Sequence, residues 1–285
     1  MQEGHDAVTV IPWEELGPDQ KSLRIDGLGP SDEAYPLQEA WSLIARPGYE
    51  EAALALAPIL RGSESGLIHL TAVGDIMLDR SLGRALAQGD LQYPFSDVAA
   101  RLHEADITAG NVESALGDSG EPEQKRYPFR APPQAAAALS LAGFDVVSLA
   151  NNHGMDYGPQ ALRQALDLLQ EQGIATVGAG ANGAEAHGAE IFNINGLKAA
   201  FLGYVHVPVE ASTGFDTESW TAGAETPGIA WADPQLVAED VRAARKEADL
   251  VIVLLHSGYE YLAAPSEPQQ EAARAAVDAG ADLVI

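Results

Sequence analysis

Four times between residues 70 and 260, an apolar run rich in β-branched residues stops abruptly at side chains that bind metals or carry protons. The first is Leu70-Thr71-Ala72-Val73-Gly74-Asp75. The second starts at Asp106 and ends in Asn111-Val112-Glu113-Ser114. The third starts at Asp145 and ends in Asn151-Asn152-His153-Gly154. The fourth starts at Asp249 and ends in His256-Ser257-Gly258-Tyr259-Glu260. Runs of this length and composition fit buried strands. Helical patterns lie between them, and strand–helix alternation makes parallel strands whose carboxyl ends share one edge. Open α/β sheets bind their ligands at that edge.

The pattern predicts strands over 68–74, 106–110, 145–150, 174–178, 189–194, 198–205 and 249–256. It predicts helices over 81–88, 95–105, 133–142, 159–172, 233–248 and 268–279. The clearest helix is 159–172, with Pro159 in its first turn, Gly173 just past its end and apolar residues at Leu162, Ala165, Leu166 and Leu169. Asn195-Gly196 between two strands is a hairpin turn. The fold class is therefore α/β with a mixed, mostly parallel sheet. Ala281-Asp282-Leu283-Val284-Ile285 echoes Ala248-Asp249-Leu250-Val251-Ile252, which predicts two neighbouring parallel strands joined by the 268–279 helix. The second strand is expected to continue past Ile285.

The segment before this alternation reads differently. Residues 1–61 offer two weak strands (7–11 and 23–27) and two short helices (37–45 and 49–60), a poor independent core. We read them as an N-terminal extension or the remnant of a preceding domain. Gly62-Ser63-Glu64-Ser65-Gly66 is a linker, and residues 67–285 form the main domain.

Charge and composition narrow the function classes. With 42 acidic and 16 basic residues the formal net charge is −26, a surface that repels nucleic acid and anionic membranes. An anionic substrate then needs a metal or a placed arginine. Cysteine is absent, which removes thiolate zinc sites and cysteine nucleophiles. The chain carries no run of 18 apolar residues and no basic, apolar signal pattern at its start. It contains neither a P-loop nor a Gly-x-Ser-x-Gly elbow. Gly178-Ala179-Gly180-Ala181-Asn182-Gly183 resembles a dinucleotide loop, but no clear helix pattern follows it.

Each strand-end group has a plainer role when taken alone. Asp75 could cap a helix, Glu113 could be an acid at a helix start, Asn151-Asn152 could form a turn, and His256 could be a hydrogen-bonded core histidine. Taken together, Asp75, Glu113, Asn152 and His256 are predicted to converge at one sheet edge. Carboxylate, amide and imidazole donors make a mixed oxygen and nitrogen set suited to Mn, Fe or Zn. Lys125-Arg126-Tyr127-Pro128-Phe129-Arg130 is the densest basic cluster. It is either a solvated loop or an anion clamp, with Arg130 the better gripping residue. His206, after an apolar run, reads as a structural residue.

Gly74-Asp75-Ile76-Met77-Leu78, Asn111-Val112-Glu113-Ser114, Asn151-Asn152-His153-Gly154 and His256-Ser257-Gly258-Tyr259-Glu260-Tyr261 resemble the CapA-type poly-γ-glutamate capsule biosynthesis proteins of the calcineurin-like metallophosphoesterase superfamily. The resemblance covers about residues 67–285. It implies a β-sandwich flanked by helices, incomplete at its C-terminal end, with a dinuclear site of divalent metal ions at one edge. Asp75 would bind one metal, Glu113 would bridge both, and Asn152 and His256 would bind the second. His153 would donate a proton or steady charge, while Asn111 and Arg130 are the candidates for substrate contact. Most of the superfamily has a histidine where Met77 stands, and a further Gly-His-x-His segment is expected beyond Ile285. A chain ending there is expected to hold its metals weakly. The implied function is hydrolysis of a phosphoester or related bond in capsule polymer synthesis. The alternative is a non-catalytic polymer-binding or assembly component of a capsule synthesis and export complex. Implied partners are an anionic polymer or phosphorylated substrate and other capsule synthesis proteins. The implied setting is extracytoplasmic or membrane-associated.

Overall fold

The computed structural model describes residues 68–285. The readings for residues 1–61 and for the linker 62–66, with the start of the main domain at 67, fall outside the described residues.

The first half builds one sheet. Strands β1 (Leu70–Ile76), β2 (Ile107–Val112), β5 (Val146–Ser148) and β6 (Ala175–Val177) lie in that order and are all parallel. Every residue of β2 is buried, as its unbroken apolar and small composition requires of a strand covered on both faces. Helices α1 (Arg80–Ala87), α2 (Ala99–Leu102), α3 (Gln134–Ala142) and α4 (Gly158–Glu171) follow or connect these strands. Two short strands, β3 (Ala115–Leu116) and β4 (Arg130–Ala131), pair with each other beside the site edge.

The second half builds another sheet. Strands β8 (Glu190–Ile194) and β9 (Leu197–His206) form the antiparallel hairpin, turning at Asn195 (φ 52°) and Gly196 (φ 84°). Positive φ at both positions is what Asn-Gly supplies most readily. Strands β11 (Leu250–Ser257) and β12 (Leu283–Val284) continue this sheet in parallel with β9. The register Ile252↔Leu283 and Val253↔Val284 is the pairing that the repeated Ala-Asp-Leu-Val-Ile segments predict. Helices α6 (Pro234–Ala244) and α7 (Glu267–Ala279) provide the crossovers. A small pair, β7 (Ala179–Gly180) with β10 (Gly228–Ile229), lies outside both main sheets. Helix α5 (Gly183–Ala186) is a single turn capped by Asn182, so the glycine-rich loop before it does not open a long helix.

The two sheets face each other. Ile107, Ala109, Val146 and Val177 from the first pack with Ala199, Phe201, Ile252 and Leu254 from the second in one buried cluster. Helices α3 and α4 cover the outside of the first sheet through Leu139, Leu162 and Leu169. Helices α6 and α7 cover the second through Val237, Val241, Ala272 and Ala276. The result is a mixed α/β domain with largely parallel sheets between helical layers. The pattern-based expectation of one mixed sheet is corrected to two. A strand buried on both faces reads as the same apolar run whichever sheet it joins. The helix expected over 95–105 is also broken, into a 3-10 turn at Tyr93–Phe95 and the one-turn α2. Pro94 fits only a first turn, and Ser96 and Asp97 compete for backbone hydrogen bonds.

Candidate active site

All four long polar strand ends arrive at one edge. Asp75 lies in the ladder directly opposite Asn111, and Asn111 Nδ2 donates to Asp75 Oδ1 at 2.7 Å. The same amide nitrogen is 3.2 Å from His256 Nδ1. His256 Nδ1 is 3.3 Å from Asp75 Oδ1, and its Nε2 is 2.9 Å from Asn152 Oδ1. Glu113 Oε1 stands 3.9 Å from both His256 Nε2 and His153 Nε2. Asp75, Asn111, Glu113, Asn152, His153 and His256 therefore form one contact network. His256 reaches it from the second sheet, while the others come from the first sheet and its loops.

Asn151 builds the turn that presents its two successors. Its buried side chain donates to Asn111 Oδ1 at 2.9 Å and Val112 O at 2.8 Å, and accepts from His153 N at 2.9 Å. The adjacent amides thus divide the work, Asn151 inward to the backbone and Asn152 outward to His256.

Behind His153 lies a buried ion pair. His153 Nδ1 is 2.6 Å from Asp156 Oδ2, and Asp156 Oδ1 is 2.6 Å from Lys125 Nζ. The Lys125 and Asp156 side chains are 3% and 0% exposed, so each charge depends on the other. Phe129 N also donates to Asp156 Oδ2 at 2.7 Å, and Lys125 Nζ donates to Asn152 O. The rings of Phe215 and Trp220 hold the ammonium at 5.2 and 5.1 Å. An aspartate acceptor at Nδ1 sets the imidazole tautomer and turns Nε2 toward Glu113. Phe129 stacks on the His153 ring with centroids 4.3 Å apart and fixes its plane.

The two carboxylates are tuned in opposite directions. The His256 hydrogen bond holds Asp75 below the ordinary carboxylate range against the opposing effect of burial, with Asn111 helping. Burial raises Glu113 above that range, opposed by the nearby His256.

Of the substrate-contact candidates, Asn111 is 9% exposed and its amide is engaged by Asp75 and Asn151. Arg130 has no hydrogen bond or ion pair to the central network. Its backbone N donates to Asp79 Oδ2 at 3.2 Å, and its Cζ lies 4.2 Å over the Tyr157 ring. The His206 ring lies 4.7 Å from that of Trp231. Lys125 and Asp156 are neighbours of the network to which the sequence reading gave no role of their own, while Asn151 is the turn residue that the Asn-Asn pair suggested. Asp156 had a signal, a carboxylate three residues after His153; Lys125 had only its place in the basic cluster.

The donors match a divalent ion in kind. Metal–ligand bonds of about 2.0–2.2 Å put neighbouring donors roughly 3–3.5 Å apart; from His256 Nε2, Asn152 Oδ1 at 2.9 Å is close to that spacing and Glu113 Oε1 at 3.9 Å is wider. Ser114 Oγ and Ser257 Oγ, each next in sequence to a candidate ligand, are buried without a partner among the described residues. They leave polar capacity at this edge. Among the described residues no group of three or more His, Asp or Glu side chains forms a ready-made cation site.

A face-to-face α/β sandwich that gathers carboxylate, amide and imidazole at one strand-end edge is a domain built around a polar centre. The family model described as "Bacterial capsule synthesis protein PGA_cap" matches residues 69–285, and the chain belongs to that family. The "Capsule biosynthesis protein CapA" of Bacillus anthracis is 31% identical over 243 residues, covering 81% of this chain and 56% of that protein. The "PGA biosynthesis protein CapA" of Bacillus subtilis strain 168 is 31% identical over 237 residues, covering 82% of this chain and 60% of that protein. The chain thus spans somewhat over half the length of these curated relatives. A solved structure of a hypothetical protein from Thermus thermophilus aligns with TM-score 0.44 and 15% identity, over 76% of this chain and 66% of that one. Among the described residues no helix is long and apolar enough to cross a membrane.

Proposed function

We propose that residues 67–285 form a calcineurin-like metallophosphoesterase-type domain that hydrolyses a phosphoester or related bond in the making or export of an anionic capsule polymer. The observation that carries this reading is the single contact network joining Asp75, Glu113, Asn152, His153 and His256. Family membership supplies the polymer context. Work at the cell envelope, beside other capsule synthesis proteins, is part of the same proposal.

Asp75, Glu113, Asn152 and His256 would hold one or two divalent ions of the Mn, Fe or Zn type. Such ions supply Lewis-acid polarisation and lower the pKa of a water. The chain's own residues do the rest. Asp156 occupies Nδ1, so Nε2 is the ring nitrogen that would take up a proton and pass it to the departing oxygen, with the Asp156 carboxylate steadying the imidazolium that carries it. Phe129 and Asn151 hold that ring and its backbone in one orientation. Phe215 and Trp220 shield Lys125 from water, which keeps the Lys125–Asp156 charge pair strong.

The test is Mn and Zn titration of the full chain with a broad phosphoesterase screen. Metal binding lost in Glu113→Gln and His256→Ala, with hydrolysis lost in parallel, is the expected result. Metal-independent hydrolysis, or none with metal tightly bound, would sink it. One observation favours a second reading, a non-catalytic polymer-binding component: the lack, among the described residues, of a ready-made cation site. Tight polymer binding without turnover on any ester would support that reading.

A further inference from the structure

Arg80 stands where the backbone does not favour an arginine. It is exposed, it opens α1, and, like most basic side chains among the described residues, it forms no ion pair. Its backbone is left-handed, with φ 55°, a conformation that L side chains other than Asn and Asp avoid. A cation at the start of a helix also faces the positive end of the helix dipole. Two local effects thus oppose an arginine here, and a glycine or asparagine would relieve both.

The side chain's placement supplies the reason. Its guanidinium carbon lies 4.8 Å from the centroid of Phe129, the ring that stacks on His153 at 4.3 Å. The guanidinium is therefore separated from the His153 ring by at most those two distances together. Arg130, next to Phe129, is likewise without an ion pair, and its backbone N is tied to Asp79, the residue before Arg80. Both guanidiniums rest on aromatic faces, which orient them, and among the described residues no hydrogen bond engages their N–H groups.

We infer that Arg80 is a specificity-determining residue that receives a non-reacting anionic oxygen group of the substrate, phosphate or carboxylate, while the reacting bond lies against His153. The inference deepens the hydrolase reading above and rests on it for the position of the reacting bond. A guanidinium presents paired N–H donors that match either anion in two places. It also supplies the local positive charge that a chain of net charge −26 must provide for an anionic substrate.

The experiment is calorimetric titration of the full chain with two probes, inorganic phosphate and glutarate, each with and without Mn. Variants are Arg80→Gly, which removes the guanidinium and relaxes the left-handed backbone, Arg80→Lys, which keeps the charge but not the fork, and Arg242→Ala, a control on α6. Arg80→Gly should weaken binding of at least one probe tenfold or more with Tm unchanged or slightly raised. Arg80→Lys should recover part of the loss, and Arg242→Ala should change nothing. The probe that loses affinity identifies the anion as phosphate or carboxylate. Wild-type affinity in Arg80→Gly, or loss matched by a fall in Tm, overturns the inference, as does failure of both probes to bind the wild type. Mn-dependent phosphate binding that is equal in Arg80→Gly overturns it and leaves the hydrolase reading standing. Arg80-sensitive binding in a chain that takes no Mn sinks the hydrolase reading and supports Arg80 as the anion-binding residue.

Discussion

Lys125 shows how strongly one side chain can organise a site it does not enter. Its ammonium bonds to Asp156, reaches the Asn152 carbonyl and sits beneath two aromatic rings. Lys125→Met would leave Asp156 buried without its counter-charge, a loss expected at about 3–5 kcal/mol. Urea unfolding measures it, and the Lys125→Met/Asp156→Leu double variant should recover part of the loss because no lone charge remains. A Lys125→Met loss below about 1 kcal/mol would mean the pair is not the keystone described. Asp156→Asn would leave His153 without its carboxylate partner at Nδ1. On any ester the protein is found to hydrolyse, kcat should fall roughly 10²–10⁴-fold with KM little changed. The strand-end residues were legible in sequence because each interrupts an apolar run. Asp156 and Lys125 were less so, since 31 residues separate them and neither ends a strand.

At the level of elements, local signals carried most of the reading. Asn195-Gly196, Pro159 and Gly173 mark a hairpin and the ends of α4 where their backbone preferences require. Helix α7 has the fullest start signal, with Ser266 and Gln269 capping one another. Ser266→Ala should therefore cost about 1 kcal/mol, measurable as a shift in the urea midpoint with unchanged slope. Leu162 is completely buried on the inner face of α4, and Leu162→Ala should cost about 2–5 kcal/mol. Nearly equal effects would mean that α4 packs less tightly than its burial indicates. What local signals did not carry was the break over 95–105, where apolar spacing continues but Pro94, Ser96 and Asp97 interrupt the hydrogen bonding.

For the whole molecule, the division of strands between two sheets was the feature least legible in the residue pattern, and only the family resemblance implied a sandwich. Burial on both faces removes the alternation that would assign a strand to a side, and the sheet-to-sheet core draws equally on both halves of the chain. The net charge of −26 acts at this scale too. Self-repulsion of the compact state should be screened by salt, so Tm should rise with NaCl up to a few tenths molar; a Tm that falls throughout would show that favourable ion pairs dominate. His256 crosses from the second sheet to a network otherwise built on the first, and this makes the site a gauge of how the halves sit together. Phe201 is fully buried between the sheets, in register with Ile252 on the strand that carries His256. Trimming it to alanine lets the sheets settle toward each other, and a shift of well under an ångström is enough to detune donors spaced as these are. Metal or anion affinity in Phe201→Ala should then decline at urea concentrations where circular dichroism still reports a folded chain, the chemistry failing before the scaffold does.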